Sequence, residues 1–72
     1  MSQGEEPRWE VFARRELRRP LTHLGSVDAP NPEMARARAW AVYARGGWKE
    51  MAIAPAAAFT PVVGGYATIG VV

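Results

Sequence analysis

Residues 31–45, Asn-Pro-Glu-Met-Ala-Arg-Ala-Arg-Ala-Trp-Ala-Val-Tyr-Ala-Arg, followed at once by Gly46-Gly47, decide the fold because they predict one helix with both ends encoded. Asn31 can accept a backbone hydrogen bond as the N-cap, and Pro32 stands in the first turn, where a missing N–H costs nothing. Arg45 and the glycine pair are typical of a helix C-terminus. The rest of the chain has to pack around this helix.

The predicted helix has two apolar sides. The first side consists mainly of small residues at helical spacing, with Ala35, Ala39 and Val42 along its centre and Met34, Arg38 and Ala41 beside them. The second side is a stripe of Arg36, Trp40 and Tyr43. Because one helix cannot cover both sides by itself, we expect a sheet against the first and another protein chain against the second.

The segments on either side of the helix alternate between apolar and polar residues, which predicts strands. Residues 8–14 place Trp9, Val11 and Ala13 opposite Glu10, Phe12 and Arg14. Residues 21–28 place His23 on the side of Leu21 and Val27, and the two segments are close enough in sequence to form an antiparallel hairpin. Residues 48–54 predict a third strand, and residues 56–59 a single helical turn. The expected fold class is therefore α+β, with a β-β-α-β core, a mostly antiparallel sheet and one principal helix.

The C-terminal part of the chain is prone to β structure. Residues 62–72 predict two short β segments around a turn at Gly64-Gly65, which pair either within the chain or with a neighbouring subunit. No charged residue follows Glu50, so a membrane span has to be considered over residues 51–72. Three glycines, two prolines and several alanines make insertion unfavourable, and no membrane partner is expected.

The length of 72 residues indicates one domain, with residues 1–7 as a flexible lead-in and residues 55–72 as a tail that subunits could exchange. A domain of this size buries only about 60% of its unfolded surface. The chain has no cysteine, so disulfides cannot supply the missing stability. We therefore expect a homodimer or a larger homo-oligomer, located in the cytoplasm.

Residues for catalysis or for ligand binding are few. His23 is the single histidine, and no orienting partner or nucleophile is evident near it in sequence, so a structural or interface role is favoured over that of a general base. No metal-ligand spacing, phosphate loop or nucleophile motif is present. The sequence predicts no catalytic, cofactor-binding or metal-binding residue and no cofactor.

Arginine is unusually frequent, with eight of the nine basic residues, four of them at Arg14, Arg15, Arg18 and Arg19. Together with Trp9, Trp40 and Trp48, these residues suggest as an alternative a module that binds nucleic acid or another polyanion. Seven acidic residues offset the nine basic ones, which disfavours a nucleic-acid partner. Aromatic residues beside arginine, as at Arg36, Trp40 and Tyr43, are also enriched in protein interfaces.

A diffuse pattern runs through most of the chain, from Trp9 to Ile53. It consists of Trp9-Glu10-Val11-Phe12 with Arg14, then His23 followed by Gly25-Ser26, Ala29, Met34-Ala35, Ala39, Tyr43 and Arg45. In order and spacing this pattern resembles the PaaB family, the small B subunit of the multicomponent phenylacetyl-CoA epoxidase of aerobic phenylacetate degradation.

The resemblance implies a non-catalytic role. In that system an A subunit carries the di-iron site and the CoA thioester, a C subunit supports it, and a flavin and iron–sulfur reductase delivers electrons. The B subunit self-associates and bridges the A and C assemblies. The resemblance implies fold and assembly roles for Trp9, Phe12, His23, Gly25, Met34 and Tyr43, and the expected partners are a second copy and the catalytic and structural oxygenase subunits.

Overall fold

The computed structural model describes residues 6–63. Three strands and one α-helix follow one another as β1 (Arg8–Arg14), β2 (Thr22–Asp28), α1 (Pro32–Tyr43) and β3 (Glu50–Pro55), with 3₁₀ turns at Ala44–Gly46 and Ala56–Ala58. The strands form one sheet in the order β2-β1-β3, and both neighbours run antiparallel to β1. The α+β prediction with a β-β-α-β core is confirmed.

Some predictions fall outside this part of the chain. The turn at Gly64-Gly65, the β segments that follow it and most of the predicted lead-in lie outside residues 6–63. Val62 and Val63, where the first of those segments would begin, lie in a bend and are 95% and 90% exposed. Within residues 6–63, no helix has the length and apolar composition that crossing a bilayer would require.

Helix α1 begins as the sequence predicts. The Oδ1 atom of Asn31 accepts a hydrogen bond from the backbone N–H of Met34 at 2.9 Å, which satisfies one of the free donors of the first turn. The α-helix ends at Tyr43, two residues before the predicted end, because the last turn tightens into the 3₁₀ turn Ala44–Gly46. Gly47 then adopts a left-handed backbone with φ of 69°, which favours glycine.

The core lies between α1 and one face of the sheet. Within residues 6–63, Val11 has the largest of the fully buried side chains, and the buried apolar residues are Trp9, Val11, Ala13, Val27, Ala29, Ala35 and Ala39. Alanine at positions 35 and 39 lets the helix backbone approach the sheet closely. The indole N–H of Trp9 donates to the carbonyl of Ala29 at 2.9 Å and thereby links the start of β1 to the segment between β2 and α1.

The predicted assignment of residues to the two sides of α1 is partly wrong. Val42 is 62% exposed instead of facing the sheet, and Met34 is 41% exposed. Tyr43, assigned to the stripe with Arg36 and Trp40, instead packs against the core cluster and is half-buried. The reason is that the helix is rotated so that residues 35, 39 and 43, spaced four apart, point towards the sheet.

The predicted face of His23 is also wrong. Val11 pairs with Gly25 but Phe12 pairs with His23, so Leu24 is an extra residue in β2 and forms a β-bulge. Alternation restarts after the bulge, and His23 therefore lies with Phe12 on the sheet face away from α1. Val27 stays with Trp9 on the helix side, and Leu24 packs against the core.

Candidate interaction surfaces

The sheet face opposite α1 carries a buried polar pair. The Nε2 atom of His23 lies 2.7 Å from the Oε1 atom of Glu10, and the side chains are 17% and 3% exposed. The Phe12 ring lies 5.2 Å from the His23 ring and 6.1 Å from the Phe59 ring, measured between centroids. The pair links β1 to β2. The rings of Phe12 and of Phe59, which follows β3 in the chain, lie beside it.

A carboxylate beside an imidazole is also a geometry that orients a general base. A nucleophile would have to lie within hydrogen-bond reach of that imidazole. In the part of the chain that the structure describes, His23 is bonded to Glu10, and its ring contacts Phe12. Residues 6–63 contain no group of three acidic or histidine side chains that could hold a metal ion.

The arginine cluster lies at the end of β1 and in the hairpin loop that follows it, and two of its four members form hydrogen bonds within the fold. Arg14 donates from Nε to Glu50 Oε1 at 2.6 Å and from Nη1 to the carbonyl of Arg19 at 2.9 Å. Arg15 donates to the carbonyl of Gly46 at 2.7 Å, and its guanidinium lies 4.3 Å from the centre of the Trp48 ring. These bonds attach the loop to β3 and to the end of the helix.

The other two arginines are exposed. Arg18 and Arg19 each lie 3.7 Å from Glu16, with 91% and 74% of their side chains exposed. Of the three tryptophans, Trp9 is buried in the core and Trp40 is exposed on α1, whereas Trp48 lies under Arg15 and lines a shallow pocket together with Arg14 and Arg19. Within residues 6–63, one of the three tryptophans therefore lies beside the arginine cluster.

A groove separates α1 from β3. It has a volume of about 540 Å³ and is lined by Glu33, Arg36, Ala37, Ala39, Trp40, Met51, Ala52 and Ile53. Trp40 is 57% exposed at its rim. β3 is an edge strand, since within residues 6–63 it pairs with β1 alone. The groove thus combines a strand edge with an exposed aromatic side chain.

The residues predicted to form an interface lie on three different parts of the fold. Trp9, Gly25 and Tyr43 belong to the helix side of the sheet, where an added Cβ at Gly25 would lie only 2.2 Å from the Tyr43 hydroxyl oxygen. Phe12, His23 and Arg14 lie on the opposite face, and Met34, Arg36 and Trp40 are exposed on α1.

Sequence reasoning missed the roles of Glu10, Trp48 and Phe59. The signal for Glu10 was its position between Trp9 and Val11 in a central strand, where a carboxylate needs a partner. Trp48 Nε1 donates to the carbonyl of Tyr43 at 2.7 Å, and so fixes the end of α1. Nothing in the spacing of Phe59 pointed to Phe12.

Comparison with known proteins gives one family. The sequence model of the PaaB family, described as "Phenylacetic acid degradation B", matches residues 5–59, which is well over half of the chain. No curated protein and no solved structure matches the chain. The matched residues include the whole sheet and α1. The chain therefore belongs to the PaaB family, which ties it to phenylacetic acid degradation.

Proposed function

We propose that this chain is a non-catalytic accessory subunit of a multicomponent di-iron oxygenase of the phenylacetyl-CoA epoxidase type. In this role it acts in the cytoplasm, binds the catalytic and structural oxygenase subunits, and associates with further copies of itself. Membership of the PaaB family supports the pathway. The distribution of exposed and bonded side chains supports the assembly role.

The observation that carries the proposal is the exposure of large apolar side chains beside a small core. Leu17, Met34, Trp40 and Val42 are between 41% and 64% exposed, whereas His23 and Arg14 are engaged in bonds within the fold. Tryptophan and methionine are enriched in protein interfaces. An accessory subunit needs such surfaces, and it needs no reactive group of its own.

The size of the core gives a second reason. A short chain whose fully buried side chains are mostly alanine removes little apolar area from water, at about 25 cal/mol per Å². Association would bury more of that area. The proposed role therefore supplies stability to the chain as well as cohesion to the complex.

The test is reconstitution with the catalytic and structural subunits of a phenylacetyl-CoA epoxidase-type oxygenase from the same organism. The purified chain is mixed with the catalytic and structural subunits, and the mass of the complex is measured by size exclusion with light scattering. We expect one complex that contains all three. Failure of the chain to bind either subunit at micromolar concentration contradicts the proposal.

The non-catalytic part is tested separately with His23→Ala in the same complex. The expected result is unchanged turnover per di-iron site in every preparation whose mass shows complete assembly. A loss of turnover by a large factor in a fully assembled complex would instead identify this chain as part of the catalytic machinery.

The alternative of a polyanion-binding module rests on Arg18 and Arg19. It predicts a salt-dependent mobility shift with single-stranded oligonucleotides, lost in the double variant Arg18→Ala/Arg19→Ala. Absence of a shift at low salt eliminates this alternative.

A further inference from the structure

Within the part of the chain that the structure describes, the outer edge of β3 lacks the features that usually protect a strand edge. Charges, prolines and bulges keep exposed edges from pairing with other chains. The β2 edge has its bulge at Leu24, but in β3 the only charge and the only proline are at the ends, Glu50 and Pro55. Residues 51–54, Met-Ala-Ile-Ala, leave a regular apolar stretch between them.

The residues that line the groove beside this edge make it a self-complementary surface, suited to contact with a second copy of the chain. Its apolar lining includes Trp40, Met51 and Ile53, and its charged residues are one acid and one base, Glu33 and Arg36. In a two-fold dimer each copy presents the same surface to the other, so a residue of one copy can contact a different residue of the second copy. Glu33 of one copy can therefore pair with Arg36 of the other, which neutralises both charges.

We propose that the β3 edge and the groove bind the same surface of a second copy, which joins two sheets into one. This inference rests on the self-association contained in the proposed function and identifies the surface responsible. The two β3 strands run antiparallel across a two-fold axis at Ala52. The three strands of each copy then form a continuous six-stranded sheet with both α1 helices on one side.

The register follows from the side-chain faces and from Pro55. Met51 and Ile53 lie on the helix side, opposite Ala13 and Val11 of β1, and directly opposed residues in an antiparallel pair share a face. An axis at Ala52 places Met51 opposite Ile53 of the second copy. An axis at Ile53 would instead place Met51 opposite Pro55, which has no N–H to donate.

In this arrangement Trp40 of each copy lies over the junction of the two sheets. Its exposed ring would cover the opposed Met51 and Ile53 side chains from the helix side. An aromatic side chain that becomes buried at the centre of an interface commonly dominates its affinity. Val42, which is 62% exposed on the same helix and does not line the groove, provides a matched control.

The first experiment is disulfide trapping with Ala52→Cys. Opposed residues across the axis have Cα atoms about 4.5–5.5 Å apart, within the range that a disulfide spans. The natural chain has no cysteine, so every covalent dimer reports on the new thiol. We expect most of the oxidised variant to migrate as a dimer. Ala57→Cys, at an exposed position of the 3₁₀ turn Ala56–Ala58, should remain monomeric at the same concentration.

The second experiment compares Trp40→Lys with Val42→Lys by sedimentation equilibrium, after circular dichroism has shown that both variants are folded. We expect the dimer dissociation constant to rise by about tenfold or more for Trp40→Lys. Val42→Lys should change it by less than about twofold, as is usual for a substitution outside an interface.

Three results would overturn the inference. The first is a dimer that the Ala52→Cys substitution does not trap, and the second is equal weakening of the dimer by the two lysine substitutions. The third is a chain that stays monomeric yet binds the oxygenase subunits, in which case the accessory function stands. Trapping of the Ala52→Cys variant without any binding to oxygenase subunits supports the surface and contradicts the proposed function.

Discussion

Replacement of Gly25 by alanine tests the close contact between α1 and the sheet. A Cβ atom at this position would lie 2.2 Å from the Tyr43 hydroxyl oxygen and 3.3 Å from Cζ of the same ring. Tyr43 packs against the core, so its ring has limited room to move. Overpacking of this kind costs about 1–3 kcal/mol. For a domain of this size, 1 kcal/mol corresponds to about 4–8 °C in Tm.

The steric part of this cost can be isolated with a second substitution. Tyr43→Phe removes the oxygen atom, after which the nearest ring atom is at 3.3 Å, a tight contact that a small shift of the ring can relieve. Gly25→Ala should therefore cost less in the Tyr43→Phe background, with a coupling of about 0.5–2 kcal/mol. Part of the cost should persist, because the φ of 158° at Gly25 is itself unfavourable for alanine.

The assay is urea denaturation of the four proteins, followed by tryptophan fluorescence at a single protein concentration so that association affects all of them alike. Equal costs of Gly25→Ala in the two backgrounds would show that the hydroxyl does not restrict position 25. The inferred contact between helix and sheet would then be refuted.

Three further substitutions test other contacts of the fold. Asn31→Ala removes the N-cap of α1 and should lower the free energy of unfolding by about 1 kcal/mol, with Asn31→Ser close to the natural chain in the same urea titration. Trp9→Phe keeps the ring in the core but leaves the buried carbonyl of Ala29 without its donor, so thermal unfolding should show a loss of about 1–3 kcal/mol. His23→Ala leaves Glu10 buried without its partner and should also lower the free energy of unfolding by about 1–3 kcal/mol. The double variant Glu10→Ala/His23→Ala should lose less than the sum of the two single losses, and additive losses would argue against the pair.

Local features of this fold could be predicted from sequence because neighbouring residues determine them. The observed β1, Arg8–Arg14, has the predicted bounds, and Asn31 caps α1 as expected. The proline and glycine residues around the helix restrict the backbone without help from distant contacts. The predicted third strand begins two residues early and ends one residue early, because Trp48 bonds to the end of α1 instead of entering the sheet.

The features that could not be predicted depend on contacts between residues that are far apart in sequence. A bulge moves every later side chain of a strand to the other face, and nothing near Leu24 in sequence indicates one. The partnership of His23 with Glu10 follows from that bulge, which is why it was missed. Likewise, the rotation of α1 depends on the shape of the sheet beneath it, so Val42 and Tyr43 were assigned to the wrong sides.

The alanines of the core determine how this protein can change over evolutionary time. Ala13, Ala29, Ala35 and Ala39 are already nearly as small as side chains can be, and each is at most 1% exposed. Any replacement other than glycine adds volume where the two layers touch, and it has to push them apart. Sequence drift should therefore concentrate in the loop and on the outer flanks, while these four sites stay close to their present size.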